Sequence, residues 1–334
     1  MKTKQLIGII VTGLVIIAVG VTGIASDIIK DRFMQKQSTD TVGLLNNVME
    51  ENALSLPDRD YFAVVDIVGT IQSGDSPYVS KSAYHHDALI KYVDKLEKSD
   101  TNQGIFLRVN SPGGTVYESD EFYLKLKEYK EVTNRPIYAY FESMACSGGY
   151  YISMASDYIT ANRNTETGSI GVIMSMYNMS GLMKKLGIKQ DNITSGPNKD
   201  MGSVGKEMTE EQRKILQSIV DEYYNNFTGI VAEGRNMDLD TVKKLADGRI
   251  YTANQALEAG LIDEVGNEER AKEALIQAAG VSDEIQFYEP ENPIGKMQSL
   301  LQSASENLFP KSEVQILKEL EESKESGVVR YEAR

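Results

Sequence analysis

"GIFLRVNSPGGTVYESDEFYLKLKEYKEVTNRPIYAYF", residues 104–141, decides the fold. Its opening "GIFLRVN" (104–110) is mostly apolar and reads as a strand. "SPGG" (111–114) is a turn. "ESDEFYLKLKEYKE" (118–131) carries apolar residues at helical spacing, and "PIYAYF" (136–141) reads as a second strand. Upstream, "YFAVVDIVGTI" (61–71) is β-branched and aromatic, a buried strand, and "HDALIKYVDKLEKS" (86–99) is helical. Strand, helix, strand, helix, strand at this spacing predicts right-handed βαβ units on a largely parallel sheet, hence an α/β fold.

Past this unit the chain reads "FESMACSGGYYISMASDYITAN" (141–162), with Ser147 before two glycines and a short helix. "YITAN" (158–162), "SIGVIMSMY" (169–177) and a helical "SGLMKKLG" (180–187) follow, then a polar, glycine-rich loop, "TSGPNKDMGS" (194–203). A long helix is predicted over 209–235, opened by the capping-box spacing of Thr209 and Gln212. Residues 247–280 read as a turn, a capped helix ("TANQALEAG"), a short strand and another helix. Residues 289–334 are polar and charged, with amphipathic pieces, and read as a peripheral tail. Its last residues, "ESGVVRYEAR", are extended in character, an end able to enter an active-site groove or be trimmed, or else solvated.

Composition narrows the function classes. The net charge of −14 comes without any basic cluster, which argues against a nucleic-acid partner. A single cysteine, Cys146, excludes an intrachain disulfide and a cysteine-built zinc site. No metal or cofactor is called for. Near the N-terminus, Lys2 and Lys4 precede an uncharged apolar run over 6–25, about the length of a spanning helix. The lysines favour an inside N-terminus, which puts the rest of the chain outside. A cleaved signal peptide is the alternative, with small residues at 23–25, although the run exceeds a usual signal core. The expected organisation is an anchor over 1–26, a stalk over 27–60, a folded domain over 61–288 and the tail over 289–334.

The candidate chemistry starts at Ser147. It sits at a strand-to-helix junction, where glycines allow close approach of a substrate and a helix N-terminus favours negative charge. The bland alternative is a helix N-cap. The Pro-Gly-Gly turn exposes backbone N–H groups able to bind a developing oxyanion. A serine nucleophile needs a base, and the only histidines are the adjacent His85 and His86, in a loop leading into a helix. A desolvated lysine can serve instead, because burial lowers its pKa. Lys184, Lys185, Lys206 and Lys214 lie in charged helical or helix-flanking settings, whereas Lys199 lies in the 194–203 loop with no helical face to explain it.

The order "RVNSPGG", Ser-Gly-Gly after "YFESMAC", "TGSIGV" (167–172), a "SGPNKD" loop and "DGRIYTANQALEAGLIDEVG" closely resembles the bacterial signal peptide peptidase A family. The resemblance covers roughly residues 60–280 and fits the half-length form. It implies a ClpP/crotonase-like fold of stacked βαβ units and a membrane-anchored serine/lysine-dyad protease. By position it makes Ser147 the nucleophile, Lys199 the general base and Gly114 with Gly148 the oxyanion hole. Ser169 becomes a candidate for holding the lysine amine. It also implies a homo-oligomeric ring, an octamer in half-length members, that admits short or unfolded peptides such as remnant signal peptides. Three other readings are open: a crotonase-like acyl-CoA hydratase or thioesterase, a cysteine hydrolase using Cys146 with His85 or His86, and a non-enzymatic membrane scaffold of the same fold.

Overall fold

A computed structural model of the chain describes residues 56–73 and 84–290. Residues 56–289 form one compact unit. The apolar run at 6–25, the stalk up to residue 55 and the tail beyond 290 lie outside the described residues. Among the described residues no helix is long and apolar enough to cross a membrane.

The βαβ reading holds. Strands β1 (Tyr61–Val68), β2 (Asn102–Ser111) and β3 (Ile137–Cys146) are parallel neighbours, linked by helices α1 (His86–Glu97) and α2 (Val116–Thr133). β1 is buried at nearly every position, as expected of a parallel strand covered on both faces. Both helices bury one stripe, Tyr92, Val93 and Leu96 on α1 and Phe122, Tyr123, Leu126 and Tyr129 on α2. α2 stops at Asn134, left-handed at φ 53°, one residue before Arg135-Pro136.

β3 runs five residues past the predicted end at Phe141. Its first half pairs with β4 (Tyr158–Ala161). Its second half, Met144 to Cys146, pairs with β5 (Glu166–Gly168) instead. The sheet therefore forks along β3, and Ser147 sits at the tip of the outer branch. β5 also pairs with β6 (Ile250–Thr252), antiparallel, whereas β4 with β7 (Glu264–Val265) and β1 with β8 (Gln286–Tyr288) are parallel pairs.

After Ser147 comes the short α3 (Gly148–Ser153), fully buried. The predicted long helix is α5 (Glu210–Gly234), and its capping box of Thr209 and Gln212 is formed. A second capping box, Thr252 with Gln255, opens α7 (Ala253–Glu258). α6 (Leu239–Leu245) lies between them. α8 (Glu268–Ala279) lays Ala271 and Leu275 on Phe62, Val64, Phe106 and Tyr140, covering one sheet face.

One segment is unlike the rest. Residues 171–208 contain only α4 (Ser180–Lys185) as regular structure, with no buried residue in that helix. "SIGVIMSMY" forms no strand: β5 ends at Gly168, and among the described residues no strand pairs with residues 169–177. Ile173 is 85% exposed, Tyr177 78%, and Ile193 is fully exposed, with Leu182 and Leu186 also in the open. That is far more apolar surface than one short stretch leaves uncovered without a partner.

Candidate active site

Ser147 is held between two strand ends. Ala145 is opposite Ser111, and Cys146 is opposite Gly168. The Ser147 amide donates to the Gly168 carbonyl at 2.8 Å, and its carbonyl accepts from the Tyr151 amide at 2.8 Å. This forces φ 51° and ψ −117° on a non-glycine residue, a conformation that costs about 1–3 kcal/mol. A strained strand-to-helix turn of this kind lifts a nucleophile clear of the sheet. Although Ser147 occupies the N-cap of α3, its hydroxyl makes no capping hydrogen bond. The side chain is half-buried, and among the described residues its oxygen is uncommitted.

The Pro-Gly-Gly turn presses against it. Ser111 Oγ donates to the Gly69 carbonyl at 2.7 Å and accepts from the Gly113 amide at 3.1 Å, which fixes the start of the turn. The Ile71 amide donates to the Gly113 carbonyl at 3.0 Å, and the Thr115 amide to the Ile71 carbonyl at 2.9 Å. Gly114 is thus bridged to Ile71 in a one-residue parallel pairing. A Cβ on Gly114 would lie 1.8 Å from the Ile71 oxygen, so no other residue fits. Gly113, at φ 100°, would bring a Cβ within 2.7 Å of both Ser147 Cβ and the Gly148 nitrogen.

Gly114 and Gly148 meet across this contact. A Cβ on Gly148 would stand 3.2 Å from the Gly114 nitrogen and 2.4 Å from Ser119 Oγ. Among the described residues neither amide has an acceptor. Two unspent N–H groups beside an uncommitted serine hydroxyl are the ingredients of an oxyanion hole. Ser169, left-handed at φ 48°, follows the Gly168 that holds Ser147, and its own amide donates to the Arg249 carbonyl at 2.8 Å. Ser147, Gly114, Gly148 and Ser169 thus gather at the ends of β2, β3 and β5.

Lys199 is placed differently. It lies in a turn, its amide bonded to the Gly196 carbonyl at 3.2 Å and its side chain exposed. The hollow around it is lined by Asp191, Asn192, Ile193, Asp200 and Ser203 among others, and by neither Ser147 nor Ser169. Among the described residues its amine makes no hydrogen bond or ion pair. Lys184, Lys185, Lys206 and Lys214 are exposed too, with Lys206 on Asp200 at 3.2 Å.

His86 and Cys146 are committed elsewhere. His86 has both ring nitrogens engaged, one with the Tyr84 hydroxyl and one with Glu121, each at 2.8 Å. Cys146 is buried, its Sγ against the Glu166 carbonyl. Burial, reinforced by the Glu166 charge, pushes its thiol up to about 11, the wrong direction for a nucleophile.

Sequence reasoning missed Gly113, Ser111 and Ile71, which shape the turn. The density of small residues in "SPGG" marked the place but could not say which amide stays unpaired.

The chain's similarities agree with this geometry. The model of peptidase family S49 matches residues 130–282. A protein of Enterococcus faecium named as a signal peptide peptidase SppA is 41% identical over 239 residues, spanning 71% of this chain and 69% of that protein. A protein of Synechocystis sp. named as the protease slr0021 is 37% identical over 257 residues, 75% of this chain and 88% of that one. The chloroplastic serine protease SPPA of Arabidopsis thaliana is 30% identical over 225 residues, 67% of this chain and 33% of the plant protein. The chain belongs to peptidase family S49, among the signal peptide peptidase A enzymes, and is a serine protease.

Proposed function

We propose that this protease is a membrane-anchored, homo-oligomeric endopeptidase that hydrolyses remnant signal peptides and similar short or unfolded peptides. Ser147 is the nucleophile, Lys199 the general base, and the Gly114 and Gly148 amides are the oxyanion hole. The observation that carries this reading is the convergence of those two unpaired amides beside the strained, uncommitted Ser147. The apolar run at 6–25 would hold the catalytic domain at the outer face of a bilayer, where such peptides remain. The implied fold is of the ClpP/crotonase type.

The chemistry follows. Ser147 Oγ attacks the scissile carbonyl while the neutral Lys199 amine takes its proton. Charge builds on the carbonyl oxygen and is met by the two glycine amides. The tetrahedral adduct collapses to a Ser147 ester, and the lysine ammonium returns the proton to the departing amine. Water then attacks the ester, losing a proton to Lys199, and the acid leaves with Ser147 restored.

An exposed ammonium is a poor base, so Lys199 needs cover that its own chain does not give. It shares the 171–208 segment with Ile173, Tyr177 and Ile193, whose exposure calls for a neighbour. The reading therefore has this segment buried against another copy, bringing Lys199 of one copy to Ser147 of the next and desolvating its amine. The test is subunit mixing. Ser147→Ala and Lys199→Ala proteins should each be inactive on a peptide ester, yet regain a fraction of the activity when dissociated and reassembled together. Persistent inactivity of the mixed assembly would return both groups to one chain, and turnover by Lys199→Ala alone would remove the lysine from the mechanism.

A further inference from the structure

The first turn of α2 breaks a helix-start rule. Thr115 and Glu118 have the T-x-x-E spacing of a capping box, in which each side chain accepts from the other's backbone amide. Here neither bond is made. Thr115 makes no side-chain cap, and its amide is spent on the Ile71 carbonyl. Glu118 turns instead toward the segment that flanks the oxyanion turn. One carboxylate oxygen accepts from the Ser73 amide at 3.2 Å, and the other from the Thr115 hydroxyl. The Thr115 hydroxyl also reaches the Ile71 carbonyl at 3.3 Å.

Glu118 is only 7% exposed, and no lysine or arginine pairs with it among the described residues. A carboxylate is a costly group to bury without a cation. Burial works against its ionised form, but the hydrogen bonds from Ser73 and Thr115 outweigh it and hold the carboxyl below the usual range. The carboxylate thus spans two segments, residues 71–73 and 113–115, which are also joined by the one-residue bridge of Ile71 and Gly114 and by the Thr115 hydroxyl's contact with the Ile71 carbonyl. One residue on, Ser119 donates to the Thr115 carbonyl at 2.8 Å and lies against Gly148.

We infer that Glu118 is a positioning residue for the oxyanion hole, a clip that ties Ser73 to Thr115 and so aims the Gly114 amide at the reacting carbonyl. This rests on the reading of Gly114 and Gly148 as oxyanion donors. Glu118 touches no substrate and moves no proton. Its work is to keep a tight turn from swinging its amide away when charge develops, adding to the Ile71–Gly114 bridge and the Ser111 contact. A displaced donor loses most of what a deleted one loses, because the stabilisation depends on direction and distance at the transition state.

The experiment uses the full chain, with kcat and KM on a peptide ester and the inhibition constant of a peptide aldehyde. The aldehyde's tetrahedral adduct on Ser147 places an oxyanion in the hole, whereas bound substrate does not. Glu118→Ala should lower kcat by about 10- to 100-fold, with KM nearly unchanged. Aldehyde affinity should fall by a similar factor. Glu118→Gln keeps an acceptor for Ser73 and should recover most of both. If Glu118→Ala does not fold, Thr115→Val and Ser73→Pro, which delete one donor each, carry the same expectations. A folded Glu118→Ala with normal kcat, or a kcat loss without loss of aldehyde affinity, overturns the clip. Ser147→Ala, run in parallel, separates the two claims. If it is inactive while Glu118→Ala is normal, only the clip fails; if it still turns over, the reading of the site fails and the clip with it.

Discussion

The two halves of the proposed dyad stand on contrasting ground. Around Ser147 the backbone is tied on several sides: β2 and β5 flank it, the Ser111 hydroxyl pins the facing turn, and every residue of α3 is buried. Around Lys199 almost nothing is buried, and large apolar residues face outward. The surroundings of Ser147 and of the Gly114 and Gly148 amides are completed within one chain. The surroundings of Lys199 are not, and its segment carries large apolar side chains in the open. On the proposed reading, such a site has its strained part preformed and its base supplied only on assembly.

The largest effects should come from the dyad itself. Ser147→Ala should lower turnover by about 10⁴-fold or more, and Lys199→Ala should fall to the same floor. The two should part on stability. Lys199 is exposed and, among the described residues, unpaired, so its loss should leave the chain's melting within about 0.5 kcal/mol. A strongly destabilised Lys199→Ala monomer would break the contrast, since it would mean that the lysine is already built in.

Next comes the turn. Gly114→Ala must push a methyl into the Ile71 carbonyl. It should cost about 1–3 kcal/mol in denaturant melts and about 100-fold in kcat, separable by assaying well below the melting range. Normal activity in a folded Gly114→Ala protein would remove that amide from the mechanism.

Smaller, and aimed at the other region, is Ile193→Asp. Within one chain it should be nearly neutral, because the side chain is already fully exposed. In sedimentation it should shift the protein toward smaller species, with activity falling in step. Unchanged assembly would show that the segment is covered by something else.

The smallest effect is expected at Cys146. With its thiol pushed up to about 11, only about one molecule in a thousand is thiolate at pH 8. Alkylating reagents should leave both the residue and the activity intact in the native state. As the pH rises through the range between the ordinary thiol value and 11, the folded state should lose the advantage of keeping this group neutral. Rapid inactivation by a thiol reagent at pH 7 would contradict the burial seen here.

Much of the scaffold was legible because periodicity reports burial. β1, β2, α1, α2 and α5 all fall where apolar spacing put them, and both capping boxes are formed. The outer half of β3 was not legible. "ESMAC" mixes polar and apolar residues, and its pairing comes from distant three-residue strands too short to show a period. β6 and β8 were hidden for the same reason. At the site, the small residues of "SPGG" and "SGG" marked the turn and the serine. The Glu118 clip was invisible because its motif advertises a different job. The surroundings of Lys199 were beyond any single-chain reading, since what desolvates a side chain is a matter of three-dimensional neighbours.

The fork in β3 has a consequence of its own. Register along a strand sets which face each side chain takes, and one inserted residue reverses every position after it. In an unbranched sheet such a slip would invert the core. Here the inner half of β3, locked to β4, would keep its register, and only the five residues leading to Ser147 would turn over. The half-strand that anchors the domain and the half-strand that leads to Ser147 are thus one stretch of chain with different outer partners, β4 and β5.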